Sequence, residues 1–564
     1  MMKFLGVIAI FFSLTTARAA TQITTLKILK SESGEYTLLS KSVNSYAEAA
    51  TGIETASLEV HEYPQFIVEH QRSAVGPRII EITSQSESQI TDWLASHHVL
   101  PMMNSHKSLV QDEVRTIING GPTANRIDLV FMGDGYTESE REKFFSDITR
   151  LVNDMFIGKT FTSYLPIFNV HAVFRASSVS GIGHGSSINT AYGLYREGET
   201  LRAIYPGNGA AIRESCRQAP ACDFPVVIAN DPYYGGLGGE FAISTSSPTS
   251  GTVVLRHELG HNFGLVGEEY DGGGYFGANH STSFSSPSWK DWATDRGAMR
   301  AEPMVARHLS WPWQKLDRGS FTANMSSNGE YAVTRIRISA SGIETPDTLS
   351  IKLDDQELEF DSPNRLDRSF VNIEAPNLSS GPHKLVFKEN IADHNNWLSS
   401  LTVHEYARDF HGDPEYLGAF PNFAEDLSLD GYRPTDESCL MRNMTHEFFC
   451  SVCQENNWGN FFKKITLIDQ FSAVRSQSAV GTPTINAELK VLSLGQFRTA
   501  GSGAPGETLE IQWFGDGQEL TEYRGQTKIS FEPRVVISSL KVKVSLKTPE
   551  LRTKNVTNEK QVSL

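Results

Sequence analysis

Two histidines four residues apart, with a glutamate beside the first, stand in the run Val253-Val254-Leu255-Arg256-His257-Glu258-Leu259-Gly260-His261-Asn262-Phe263-Gly264. On an α-helix four residues advance about 400°, so the two imidazoles fall within ~40° of each other on one face and can ligate the same Zn²⁺. Glu258 lies just off that axis, where a carboxylate can take a proton from a water polarised by the metal and later hand it to a leaving amine. His-Glu-x-x-His on a helix is the pattern of a zinc metallopeptidase. The alternative, an amphipathic helix with two surface histidines, fits poorly. Val253, Val254, Leu255, Leu259 and Phe263 make the segment largely apolar, and buried histidines beside a glutamate need a partner. One catalytic zinc ion on His257 and His261, with Glu258 as general base, is the chemistry these residues imply.

Such a helix needs a framework. Ile127-Asp128-Leu129-Val130-Phe131-Met132, Phe168 to Phe174 and Phe224 to Ala229 are buried-strand candidates, and Thr137-Glu138-Ser139-Glu140 fits the capping box of an intervening helix. Residues 21–118 alternate as in a small β-rich module and end at the breaker cluster Asn119-Gly120-Gly121-Pro122. Residues 321–407 return to strand alternation, as in Tyr331 to Ile338 and His383 to Phe387, the pattern of a β-sandwich. Strand and turn signals recur from about residue 480. The expected organisation is a signal peptide (1–20), an N-terminal β-rich domain (21–118), a catalytic domain in two parts (119–320 and 408–475) around an inserted β-sandwich (321–407), and a C-terminal β module with a tail (476–564). The insert is expected to be peripheral to the cleft.

Fifty Lys and Arg against 66 Asp and Glu give a net charge of −16, the wrong sign for a partner bound through phosphates, so nucleic acid is disfavoured. Met1-Met2-Lys3, the apolar run Phe4 to Leu14 and the small residues ending at Ala20 read as a secretory signal, and no later segment is apolar enough to span a bilayer. A secreted protein, or a periplasmic one in a Gram-negative host, is expected. The five cysteines, Cys216, Cys222, Cys439, Cys450 and Cys453, are disulfide candidates by their local clustering, with one thiol left over. Cys450-Ser451-Val452-Cys453 has the spacing of a redox or zinc-ribbon element, but a ribbon needs a second such pair, and a structural role is expected. Asn279, Asn324, Asn377, Asn443 and Asn555 are glycan acceptors if the host is a eukaryote.

Beyond the helix the chain resembles a known family. Gly264 stands where metzincin-type peptidases turn sharply out of the zinc helix, and Glu268-Glu269-Tyr270 replaces the usual third histidine. With Asp134-Gly135-Tyr136, the run Tyr233 to Glu240, Cys439-Leu440-Met441-Arg442-Asn443 and Cys450 to Cys453, the chain resembles the immunoglobulin-A peptidase family of secreted zinc metallopeptidases over roughly residues 25–470. The resemblance implies a metzincin-like catalytic domain with a separate N-terminal domain. It places a third zinc ligand three residues beyond Gly264, at Gly267, which has no side chain, so the ligand shifts to Glu268, the nearer and favoured one, or to Glu269. Met441 resembles the methionine turn beneath the metal, although an ordinary core methionine reads equally well. Gly235 to Ser246 resembles the edge strand along the cleft. Asp134 and Tyr136 are expected to shape a strand-to-helix turn.

The expected fold class is therefore α+β multidomain, with a metzincin-like zinc peptidase domain and β-rich N-terminal, inserted and C-terminal modules. The expected function is a secreted zinc endopeptidase acting on a protein or peptide substrate. A gluzincin-type aminopeptidase would take its third ligand from a second helix far downstream, and a non-catalytic adhesion or carbohydrate-binding protein would carry the motif on a dead scaffold. Nothing in the sequence encodes a pocket for an antibody hinge.

Overall fold

The computed structural model describes residues 112–156, 160–391, 395–477, 482–499 and 505–564, together with four strands and Thr91 and 94–96 in the first hundred residues. The proposed signal segment, 1–20, lies outside the described residues. The chain divides into two units, residues 1–71 with 75–101, and residues 72–74 with 102–564. In the first, Tyr36–Tyr46, Thr21–Lys30, Arg78–Ser84 and Phe66–His70 form one antiparallel sheet in that order.

In the second unit a five-stranded sheet carries the motif helix. Its strands are β1 (Glu113–Asn119), β2 (Ile127–Asp134), β3 (Phe168–Phe174), β4 (Phe224–Ala229) and β5 (Ala242–Thr245), in the order β5-β4-β2-β3-β1. All neighbours are parallel except β1, which runs antiparallel to β3. Every residue of β2 and β3 is buried, as continuous apolar runs require when both faces of a parallel sheet are covered. Because β1 pairs with β3, residues 113–118 belong to this sheet and not to the N-terminal unit. Sequence alternation alone cannot tell which sheet a strand joins.

Helix α1 (Arg141–Phe156) buries Phe144, Phe145, Ile148, Leu151, Val152 and Met155, a helical stripe, and Thr137 and Glu140 form the capping box ahead of it. A short α2 (Gly209–Cys216) follows, tied to the next loop by a disulfide from Cys216 to Cys222. The motif helix α3 (Gly251–Gly264) is packed by aromatics, with Phe263 against Phe161, Phe168, Phe224 and Phe461. It ends at Gly264, but the left-handed residue of the turn is Leu265, at φ 51°. From α4 (Ser451–Phe461), Asn460 Nδ2 donates to the last carbonyls of α3, Phe263 and Gly264, both at 2.9 Å, so amide side chains supply what a helix C-terminus lacks.

Residues 304–406 form two packed sheets. One orders Met304–Ser310, Trp397–Tyr406, Val333–Ser341 and Ser369–Ala375, and the other orders Phe321–Asn328, Ser380–Glu389 and Leu349–Leu353. Ile336, Ile338, Ile351, Leu385, Phe387 and Leu401 meet between them. The sandwich begins at Met304, earlier than the expected 321, because that strand pairs with Trp397–Tyr406. It is also locked onto α3. Asp367 accepts from Ser250 Oγ at 2.6 Å, Thr249 Oγ1 at 2.7 Å and the Tyr234 amide at 2.6 Å.

From Ile468 the chain forms two further sheets whose core, including Ile485, Trp513 and Val542, is continuous with that of the sheet and helices around α3. Glu455 of α4 accepts from the amides of Arg552 and Thr553 at 2.7 and 2.6 Å. The C-terminal strands therefore share the central core and do not stand apart as a module from 476. Among the described residues no helix is long and apolar enough to cross a membrane.

Candidate metal centre

Helix α3 presents His257 and His261 on one face, and the loop after it brings Glu268 to them. His257 Nε2 lies 3.2 Å from His261 Nε2 and 3.0 Å from Glu268 Oε2, and His261 Nε2 lies 3.3 Å from Glu268 Oε1. Their other nitrogens are committed: His261 Nδ1 donates to the Val266 carbonyl at 2.8 Å and His257 Nδ1 to that of Leu440 at 3.3 Å. Both Nε2 lone pairs therefore face the same point as the carboxylate. At this distance the two Nε2 atoms need a cation between them, a proton on His261 or a metal ion on both. Metal–ligand bonds of 2.0–2.2 Å imply edges of about 3.3 Å in a tetrahedron, so the three residues fit a zinc ion.

The field is built for positive charge. Burial opposes the His261 imidazolium, but the Glu268 carboxylate outweighs it and raises the His261 pKa to about 9. Burial likewise opposes the Glu268 charge, and the two histidines hold its pKa well below the usual carboxylate range. The loop is fixed by backbone bonds, Gly267 N–H to Phe276 O at 2.8 Å, Glu268 N–H to Gly274 O at 2.9 Å and Glu269 N–H to Met441 O at 3.1 Å. A Cβ at Gly267 would stand 2.3 Å from the Gly274 carbonyl, so the residue that cannot be a ligand is the one that lets the loop close.

Met441 is fully buried against α3, with its sulfur 2.7 Å from where a Cβ on Gly260 would lie. Glu258 shares a cleft with His257 and Glu268, and the Gly-rich segment lies on it. Leu237 pairs antiparallel with Ile243 of β5, Asn262 holds the Gly239 carbonyl at 3.0 Å, and a Cβ on Gly238 would stand 2.5 Å from Glu258 Oε2. The opposite wall is the sandwich, through Arg337, Arg368, Phe370, Ser400 and Thr402. This corrects the expectation of a peripheral insert. One face of its first sheet packs the sandwich core, and the residues alternating with that face line the cleft. Arg368 stacks over Tyr234 at 4.5 Å and donates to Ser339 at 2.6 Å, while Arg337 donates to Glu437 at 2.9 Å.

Behind the site Asp271, fully buried, pairs with Arg442 Nη1 at 2.8 Å and lies 3.0 Å from His404. Burial works against its charge, but Arg442 and His404 hold the Asp271 pKa well below its ordinary value. Asp134 is buried and accepts from the amides of Tyr192 and Leu194, each at 2.7 Å, while Tyr136 donates to Asp147 at 3.0 Å.

Other sequence candidates fall elsewhere. Glu269 turns away from the histidines into a cluster with Cys439, Cys450 and Cys453, all buried. These three cysteines are not bonded to one another, so of the five disulfide candidates only Cys216 and Cys222 are joined. Asn279 and Asn443 are buried and hydrogen-bonded, Asn279 to Glu269 at 2.9 Å and Asn443 to Thr445 at 2.8 Å, which removes both as glycan acceptors in the folded chain. The fourth member of the cysteine group was hidden by sequence distance. Its one signal was the alternation of consecutive glutamates, whose side chains point apart in an extended segment.

A profile of the family described as IgA Peptidase M64 matches residues 116–338. The match supports a peptidase and the resemblance read from the motifs, over a shorter stretch than 25–470. It begins within β1, covers the rest of the sheet, α3 and Glu268, and stops before Met441. No curated protein matches the chain. Among solved structures, a family 35 carbohydrate binding module from an environmental isolate is 15% identical, covering 19% of this chain and 88% of its own, at a TM-score of 0.14. A GH2 beta-galacturonidase from Eisenbergiella tayi bound to glycerol is 11% identical over 46% of this chain and 42% of its own, at 0.12. The Ruminococcus gnavus beta-glucuronidase is 5% identical over 54% and 41%, also at 0.12. The chain spans less than half the length of these two enzymes.

Proposed function

We propose that this chain is an exported, zinc-dependent endopeptidase with a metzincin-like catalytic domain. The observation that carries the reading is the convergence of His257 Nε2, His261 Nε2 and the Glu268 carboxylate within 3.0–3.3 Å on the cleft that Glu258 lines. Zinc held there would supply Lewis acidity, polarising a peptide carbonyl and acidifying water. Glu258 takes the proton of the attacking water and delivers it to the departing amide nitrogen. His257 and His261 are held in one tautomer by the carbonyls of Leu440 and Val266, which keeps Nε2 free for the metal. The Gly-rich segment outside β5 supplies a backbone along which an extended peptide can lie. Supplying Glu268 from the loop directly after α3 favours this reading over a gluzincin, whose third ligand comes from a distant helix. Export rests on the sequence of residues 1–20.

The test is to purify the full chain, measure zinc, and follow hydrolysis of casein and of an internally quenched peptide library with and without a chelator. Zinc with internal cleavage is expected. Zinc-loaded protein that cleaves nothing sinks the proposal, and N-terminal trimming alone transfers it to an aminopeptidase.

A further inference from the structure

Glu269, Cys439, Cys450 and Cys453 place one ligand atom each within 4.8 Å of one another, and none is more than 6% exposed. Cys439 Sγ lies 3.9 Å from Cys453 Sγ, and Cys453 Sγ lies 3.7 Å from Glu269 Oε1. A disulfide needs sulfurs about 2.05 Å apart. A tetrahedral zinc with bonds of about 2.3 Å to sulfur and about 2.0 Å to oxygen has edges of about 3.8 Å between sulfurs and about 3.5 Å between sulfur and oxygen. These two spacings match the second geometry, and the Cys450 sulfur lies within 4.8 Å of the other three ligand atoms.

A further observation points the same way. Glu269 Oε1 receives Asn279 Nδ2 at 2.9 Å, while Oε2, on a fully buried carboxylate, has no hydrogen-bond partner in the protein. Burial pushes the Glu269 carboxyl toward its neutral form, so keeping it ionised needs a cation at the carboxylate, and Oε2 is open to one. Arg442 Nη1 donates to the backbone carbonyl of Glu269 at 3.2 Å and so fixes the segment that carries the carboxylate.

We propose that Glu269, Cys439, Cys450 and Cys453 form a second, structural zinc site. Four protein ligands close it to water and substrate, and thiolate-rich tetrahedral coordination selects zinc. Its place in the chain gives it a task. Glu269 follows the catalytic ligand Glu268, Cys439 precedes Met441 by two residues, and Cys450 and Cys453 stand at the start of α4, which caps α3. One ion thus clamps the loop that carries Glu268, the turn beneath α3 and the helix behind it. Binding releases the thiol protons, leaving the sulfur oxidation state unchanged.

The experiment uses the full chain carrying His257→Ala with His261→Ala, which removes the first site. Metal content after dialysis and zinc-edge X-ray absorption are read, together with intact mass after alkylation of the unreduced protein. Expected are one zinc per chain retained, sulfur neighbours at about 2.3 Å, and no disulfide among the three cysteines. Adding Cys439→Ser should remove that zinc. Should this variant not fold, the wild-type spectrum decides by its sulfur shell, which the histidine site cannot supply. A zinc-free double-histidine variant, or a disulfide joining two of the three cysteines, overturns the proposal. If wild type and double variant bind the same single, sulfur-bound zinc, the second site stands and the catalytic reading fails.

Discussion

Glu268 and Glu269 are consecutive, yet their carboxylates face different clusters: Glu268 Oε2 lies 3.0 Å from His257 Nε2, and Glu269 Oε1 lies 3.7 Å from Cys453 Sγ. Substituting them should therefore have separable effects. Glu268→Ala is expected to weaken zinc binding at the histidines by more than the roughly 10–100-fold that loss of an outer partner costs. Glu269→Ala should keep histidine-bound zinc, with some loss of affinity transmitted through the loop. Zinc titration of the dialysed proteins, read by recovered peptidase activity and metal content, checks this. The reverse order would transfer the catalytic ligand to Glu269.

Glu258→Gln keeps size and hydrogen bonding and removes the carboxylate proposed as the base. Peptide hydrolysis should fall by about 10²–10⁴-fold with zinc content unchanged. Near-normal turnover would remove Glu258 from the mechanism.

Gly238→Ala tests the ceiling of the cleft. A methyl there would stand 2.5 Å from Glu258 Oε2, so either the segment or the carboxylate must move. A displacement approaching 1 Å costs about 10²-fold in turnover. The expected result is a drop in kcat of that order in a protein that still holds its zinc and melts at nearly the wild-type temperature.

The sandwich wall should matter even for short substrates. Phe370→Ala removes an apolar surface of the cleft, and the expected outcome is a raised KM for small peptides with zinc content unchanged. Replacing the whole sandwich, residues 304–406, by a linker should abolish small-peptide hydrolysis in a protein that still holds its zinc, because Arg337, Arg368 and Phe370 leave with it. Retention of full small-peptide activity in either variant would restore the insert to the periphery.

Asp271 gives a pH dependence. Against the cost of burial, Arg442 and His404 hold its folded pKa well below the unfolded value of about 3.9. A depressed folded pKa contributes stability that is present above the unfolded pKa and lost as pH falls from there toward the folded one. The contribution should be constant above about pH 5 and decline below about pH 4. Asp271→Asn leaves the buried Arg442 with Glu437, at 3.0 Å, as its remaining carboxylate and should cost about 3 kcal/mol, the low end for breaking a buried pair. Thermal melts from pH 3 to 7 should show a lower Tm throughout and a shallower acid limb in the variant. An unchanged Tm at neutral pH would contradict this.

The residues that can hold the metal were legible because their chemistry is local. Two histidines on one turn of helix face the same way whatever surrounds them, and an apolar run long enough for a two-sided strand is buried wherever it is placed. The third ligand was half legible: Gly267 has no side chain and two glutamates follow, but only the loop closed by Gly267, Gly274 and Phe276 turns Glu268 to the histidines and Glu269 to the cysteines. Contacts set by distant segments had no local signature. Strand alternation in residues 321–407 marks two faces, one of them apolar, but it does not say what the polar face meets, and tertiary packing turned that face toward the cleft. The same holds for Cys439, Cys450 and Cys453. Their number and spacing suggested bonding to one another, while the fourth member of the group, about 170 residues earlier in the chain, is placed there only when the loop after α3 packs on the turn at Met441.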